Sequence, residues 1–235
     1  MKKIVHKAET RGYANHGWLK SYHTFSFAGY NNPERMNFGM LRVLNDDVVQ
    51  PKMGFGTHPH RNMEIISIPI SGALSHKDSM DNKRSIEVGE VQVMSAGTGL
   101  THSEFNDSKT NETNFLQLWI IPEKQEVAPY YNQKEFKEAD RKNKFQTLVS
   151  PRTNLVEGSL PIHQQGYISM IDLDENIETE YHLKNGAYFF LIDGEVNIAD
   201  ETLEKRDAVG IIETEKVTVK ANKNSKLLVV DVPMQ

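Results

Sequence analysis

Two short groups of residues concentrate the chemistry of this chain. The first is Gly54-Phe55-Gly56-Thr57-His58-Pro59-His60-Arg61-Asn62-Met63-Glu64, and the second is Thr101-His102-Ser103-Glu104-Phe105-Asn106. Imidazole nitrogen and carboxylate oxygen are donors that borderline divalent metals accept. His58 and His60 stand two apart, as do His102 and Glu104. Residues two apart on a strand point to the same face, so two such pairs on facing strands deliver converging donors without unusual backbone. The pattern predicts one mononuclear metal site at the mouth of a β-barrel. Glu64, four positions after His60, can replace Glu104 as a ligand, hold a histidine N–H, or lie solvated on a strand. Spacing alone does not choose between Glu64 and Glu104.

Such pairs need strands to carry them, and the surrounding sequence is strand-like. Segments 64–70, 74–78, 84–88, 91–95 and 115–121 are rich in β-formers and separated by Gly or Asn turns. Upstream, Phe25 and Phe27 alternate with small polar residues and predict a short strand. A further strand is predicted over 38–49, ended by Asn45-Asp46-Asp47. Helical spacing is nearly absent, which argues for an antiparallel sandwich or barrel. Segments 167–173, 187–192, 195–198, 208–212, 217–219 and 227–232 repeat this style, and Ile192-Asp193-Gly194-Glu195 echoes the turn Ile70-Ser71-Gly72-Ala73. The expected fold is therefore all-β, with two antiparallel β-barrel domains in tandem. Residues 1–125 form the metal-binding domain, the polar stretch 126–144 a connector, and 145–235 a second domain. That second copy has neither His-x-His nor His-x-Glu, so metal chemistry belongs to the first.

At 235 residues the chain has room for two domains. Its 38% hydrophobic and 25% charged residues, with a mean hydropathy of −0.55, fit a soluble globular protein. A net charge of −5, mixed along the chain, gives no reason to expect nucleic acid or a membrane surface as partner. The absence of cysteine excludes thiolate ligands, thiolate nucleophiles and disulfides. The N-terminus lacks the apolar core of a secretion signal, and a cytoplasmic location is expected.

The first group resembles one cupin motif, a glycine followed by His-x-His, a glutamate and the later Gly72. The stretch from Gly89 to Asn106 resembles the second, with Ser95-Ala96-Gly97 where many cupins have Pro-x-Gly. Residues 56–64 and 94–106, together with Arg11-Gly12, His16-Gly17-Trp18 and His23-Thr24-Phe25-Ser26-Phe27, resemble the pirin family of bicupins over nearly the whole chain. The resemblance implies a jelly-roll bicupin whose first half binds iron or a related metal and whose second is empty. It implies His58, His60, His102 and Glu104 as ligands, which moves Glu64 to a supporting role. Fe(II) is the metal expected first; Ni, Mn, Co, Cu and Zn suit the same donors. Some members open the flavonol quercetin with dioxygen, so a small aromatic substrate and O2 are the expected partners. A regulatory member implies the alternative, a redox-sensing protein whose metal alters a protein-binding surface.

For the oxygenase, open coordination positions admit substrate and dioxygen, and Glu104 is the obvious base for a substrate hydroxyl. Phe55 and Met63 are candidate walls for a flat ligand, and Arg61 either steers an anion or is simply solvated. Phe25, Phe27, Phe38 and Trp119 are expected as core. His16, His23 and His76 are expected as structural or surface residues, and His6, His163 and His182 have no partner in sequence.

Overall fold

In the computed structural model, residues 1–234 are described, and Gln235, the last residue of the expected second domain, lies outside them. The first strands are β1 (Lys2–His6), β2 (Gly12–Asn15), β3 (Leu19–His23) and β4 (Leu41–Val49). The site region follows as β5 (Gly54–His60), β6 (Glu64–Ser71), β7 (Ala73–Asp78), β8 (Lys83–Glu87), β9 (Glu90–Ser95), β10 (Leu100–Phe105) and β11 (Thr113–Ile120). Then come β12 (Tyr130–Glu135), β13 (Gln146–Pro151), β14 (Leu160–Ile162), β15 (Tyr167–Leu173) and β16 (Glu178–His182). The chain ends with β17 (Gly186–Asp193), β18 (Glu195–Ile198), β19 (Glu201–Glu204), β20 (Ala208–Ile212), β21 (Lys216–Ala221) and β22 (Ser225–Val232). Among the described residues the only helices are three short 3-10 turns.

Each half is a sandwich of a seven-stranded and a four-stranded sheet. The first half has the orders β12-β9-β6-β11-β4-β3-β2 and β5-β10-β7-β8, and the second β1-β20-β17-β22-β15-β13-β14 and β16-β21-β18-β19. Both are nearly all-β, cupin-like sandwiches, as the resemblance implied. The halves are tied at their edges. β1 pairs with β20, and β12, inside the stretch 126–144, pairs with β9 along its whole length.

Alternation along the strands explains where the core sits. In β4, β6 and β11, Leu44, Ile66, Ile68, Leu116, Leu118 and Ile120 face the second half, where they join Tyr188, Phe190, Leu228 and Val230 in one large cluster. The intervening residues face the interior of the first sandwich. A second cluster, built on Phe189, Leu191, Val209 and Val229, fills the interior of the second sandwich with apolar side chains.

Two local expectations are overturned. The strand expected at Phe25 and Phe27 lies earlier, at β3, and Phe27 makes only an isolated bridge with Tyr30. Asn45, Asp46 and Asp47 do not end β4, which runs through them to Val49 with all three buried. Three consecutive polar residues look like a turn in sequence, but here each has a partner inside the protein.

Candidate metal centre

Strands β5 and β10 are neighbours, and their register sets His102 opposite His58 and Leu100 opposite His60. β5 is an edge strand, where Pro59 costs no ladder hydrogen bond. Between His102 and Glu104 the register slips, because Thr57 and Gly56 together oppose Ser103, and Glu104 then pairs with Phe55. This extra residue is a bulge, a feature that re-aims side chains.

The three imidazoles meet. Their ring centroids lie 4.5 Å apart for His58 and His102, and 4.9 Å for each of the other two pairs. One ring nitrogen of each lies within 4.8 Å of the others. His58 Nδ1 donates to the Gly56 carbonyl at 2.8 Å, which leaves Nε2 as a lone-pair donor for a metal. Both nitrogens of His102 are buried without a hydrogen-bond partner. Leaving both unsatisfied is costly, and a bound cation gives one of them its partner. Burial, then the neighbouring imidazoles, lower His102 to about 2, while burial and His58 lower His60 to about 4. Neutral imidazoles are the form a metal requires.

Glu104 stands beside this triad rather than within it. Its ligand oxygen groups with His102 and His76, and it pairs across the ladder with His76. Gln117 Nε2 donates to its Oε2 at 2.8 Å and Ser67 Oγ to its Oε1 at 3.3 Å, while Trp119 Nε1 donates to Gln117 Oε1 at 3.3 Å. Burial raises the Glu104 carboxyl above the ordinary range despite those donors. The two groups share His102, and three neutral imidazoles with one carboxylate nearby suit a divalent metal.

The triad opens on a cavity of about 740 Å³, lined by His58, His60 and Glu104 on one side and by β3 and β4 on the other. Trp119 stands edge-on to His60 at 5.0 Å, Phe27 edge-on to Trp119 at 5.3 Å, and Trp18 edge-on to Phe55 at 5.1 Å. Such a volume with aromatic walls suits one flat, drug-sized ligand.

The remaining expected residues divide. Phe55 lines the cavity. Met63 does not; it packs behind the triad against the cluster of Ile65, Met94, Ala96 and Leu100. Arg61 is exposed and engages Glu126 through two hydrogen bonds of 3.0 and 2.7 Å, so its charge is already paired outside the cavity. Glu64 holds no metal-site histidine. Strand alternation turns it with Ile66 toward the second half, and Ser95 Oγ of the neighbouring β9 donates to it at 2.6 Å. Burial raises its carboxyl to about 7, against hydrogen bonds from Ser95 and the His163 backbone.

Of the aromatics expected in the core, Phe25 and Phe38 are there, whereas Phe27 and Trp119 are cavity walls. His16 and His23 also line the cavity, and His6 is buried against the Tyr188 hydroxyl at 2.7 Å. His76, one of the histidines expected to be structural or at the surface, is buried, 5.3 Å from the His102 ring, with Nε2 3.1 Å from Asp78 Oδ2. Its signal was the His76-x-Asp78 spacing on a strand that pairs with β10. Ser21, Asn45, Asp47 and Gln117 were missed as cavity residues, because isolated polar residues in a strand carry no motif.

No helix of the described residues is long and apolar enough to cross a membrane. The pirin family model matches residues 5–120, and a model described as a quercetinase C-terminal cupin domain matches 147–232. A protein of Escherichia coli strain K12 named quercetin 2,3-dioxygenase is 39% identical over 231 residues, covering 97% of this chain and 98% of that one. A pirin-like protein of Caulobacter vibrioides is 39% identical over 222 residues, 94% of this chain and 95% of its own. The crystal structure of the bacterial pirin YhhW from Escherichia coli in complex with nickel(II) superposes with a TM-score of 0.94 at 37% identity, covering 100% of both chains.

Proposed function

Since this chain belongs to the pirin family, we propose that it is a metal-dependent dioxygenase that opens a flavonol of the quercetin type with O2. The observation that carries this reading is His102, whose two unpartnered buried nitrogens sit with His58 and His60 at the end of an aromatic cavity. His58, His60, His102 and Glu104 are the ligands of the proposed mononuclear centre, and Fe(II) is the metal proposed first. The metal, when bound, supplies Lewis acidity and open positions for substrate and dioxygen.

The protein's own part is to bind, orient and move one proton. Trp119, Phe27 and Phe55 hold a flat ring system by its faces and edges. Glu104 takes the proton of the ligand's hydroxyl on a carboxylate oxygen, and its burial raises its affinity for that proton. Gln117, oriented by Trp119, and Ser67 hold the carboxyl in place through the transfer. Removing water from these walls strengthens every such interaction.

An anaerobic optical titration tests the reading. Quercetin added to Fe(II)-loaded protein is expected to shift its long-wavelength band as its hydroxyl loses a proton, and chelated protein gives no shift. An identical spectrum with and without metal contradicts it.

A further inference from the structure

Asp47 faces the cavity from β4, on the seven-stranded sheet, opposite the sheet that carries the imidazoles. Ser21 of β3, its direct cross-strand partner, donates to Oδ1. Among the described residues Oδ2 makes no hydrogen bond within the protein. One step along the same strands, His23 Nδ1 lies 3.0 Å from Asn45 Oδ1, and Asn45 pairs with Gln117, the residue that holds Glu104. A polar row therefore crosses the floor of an otherwise aromatic cavity. No lysine or arginine lines that cavity.

A carboxylate placed in a sandwich interior without a cationic partner is expensive to maintain, and such groups concentrate at functional sites. Burial raises the Asp47 carboxyl to about 7, and the nearby acids Asp46 and Glu104 add to the effect. The fold does not need the charge there, since Ser21 is satisfied as well by a neutral acceptor.

We propose that Asp47, held by Ser21, binds a second hydroxyl group of the ligand, and so makes the cavity select aromatics that carry a hydroxyl facing β4 over those that carry an acid group there. The inference rests on the cavity being the ligand site of the proposed dioxygenase, and it names the chemistry that site prefers. Above about pH 7, where Asp47 is ionised, Oδ2 accepts from the incoming hydroxyl and a ligand carboxylate there meets like charge with no cation to offset it, so binding is compared at about pH 8. A ligand lacking that hydroxyl leaves Asp47 buried and unpaired, the arrangement that gives polar sites their selectivity.

Trp18 and Trp119 line the cavity, so tryptophan fluorescence reads binding independently of turnover. Anaerobic titrations of metal-loaded protein compare quercetin, 3-hydroxyflavone, which keeps only the hydroxyl next to the ketone, and a flavonol with a carboxylate at the 4′ position. Wild type is expected to favour quercetin over each of the others by about tenfold or more. D47A and S21A are expected to cut the preference over 3-hydroxyflavone to about threefold or less, and D47N, which keeps an acceptor, to restore part of it. If D47A does not fold, S21A and D47N carry the comparison. An unchanged preference in folded S21A and D47A overturns the inference, as does tight binding of the carboxylate by wild type or no binding of any flavonol. If the preference is present and lost as expected while quercetin consumes no oxygen, the dioxygenase reading fails and the role of Asp47 stands.

Discussion

Asp46 and Asp47 follow each other in β4 and face opposite ways. Asp46 points to the second half, where Arg206 Nε donates to its Oδ2 at 2.9 Å and Arg11 Nη1 at 3.2 Å. Asp47 points into the cavity and has only Ser21. One residue of strand period separates a structural clamp from a cavity-facing acid.

The clamp is testable by removing its anion. Asp46 is buried and joins a residue of the first half to one near β20, with Asn114 Nδ2 donating to its other oxygen at 2.7 Å. D46A leaves the partly buried Arg11 and Arg206 without their counter-charge and is expected to cost about 2–4 kcal/mol in urea unfolding, somewhat less than for a fully buried pair. A loss under about 1 kcal/mol means that the two arginines find other partners.

Two buried acids give the fold an unusual pH dependence. Asp47 and Glu64 titrate near pH 7 in the native state, against 3.8 and 4.5 for the free groups. Between these values the two acids hold more protons in the native protein than in the unfolded chain, so their contribution to stability falls as pH rises through the window, while that of the buried imidazoles of His60 and His102 rises. Urea unfolding at about pH 5 and about pH 8 is expected to show the double variant D47N/E64Q gaining stability relative to wild type as pH rises. An equal pH dependence in variant and wild type contradicts this.

Gly54 controls how closely β5 approaches β10. A Cβ there clashes with the Glu104 carbonyl oxygen and comes within 2.6 Å of the Phe105 backbone. G54A is expected to push the strands apart at the site, lowering metal content per chain at least about fivefold while leaving a folded protein. Full metal content in G54A contradicts this coupling.

Metal removal is expected to destabilise the protein itself. Without its cation, the buried His102 is left with both ring nitrogens unpartnered. Chelation is expected to lower stability by about 2–4 kcal/mol, recovered on adding back Fe(II) or Ni(II). H102A is expected to abolish the difference between chelated and reloaded protein. A chelator-insensitive unfolding midpoint in wild type argues against a tightly held ion.

Much of this site was legible in the sequence because it depends on local spacing. His58, His60 and His102 converge since period two on paired strands leaves them nowhere else to point, and the duplicated strand–turn pattern is visible in the same way. Residues whose role depends on pairing between distant strands were not legible. Glu64 sits four residues from His60, yet the face it occupies follows from which side of β6 meets the second half. His76, Asp47 and Gln117 converge on the site only once β7 lies beside β10, and β4 beside β11. For Arg61, next to His60, the sequence left steering and solvation open, and the fold turns it outward to Glu126.

The most direct test of the dioxygenase is isotopic. Fe(II)-reconstituted protein turning over quercetin under 18O2 is predicted to place both labelled atoms in ring-opened product, with one dioxygen consumed per flavonol and neither reaction in H58A or H60A. Unlabelled product, or quercetin left intact by protein with a full complement of metal, contradicts the account.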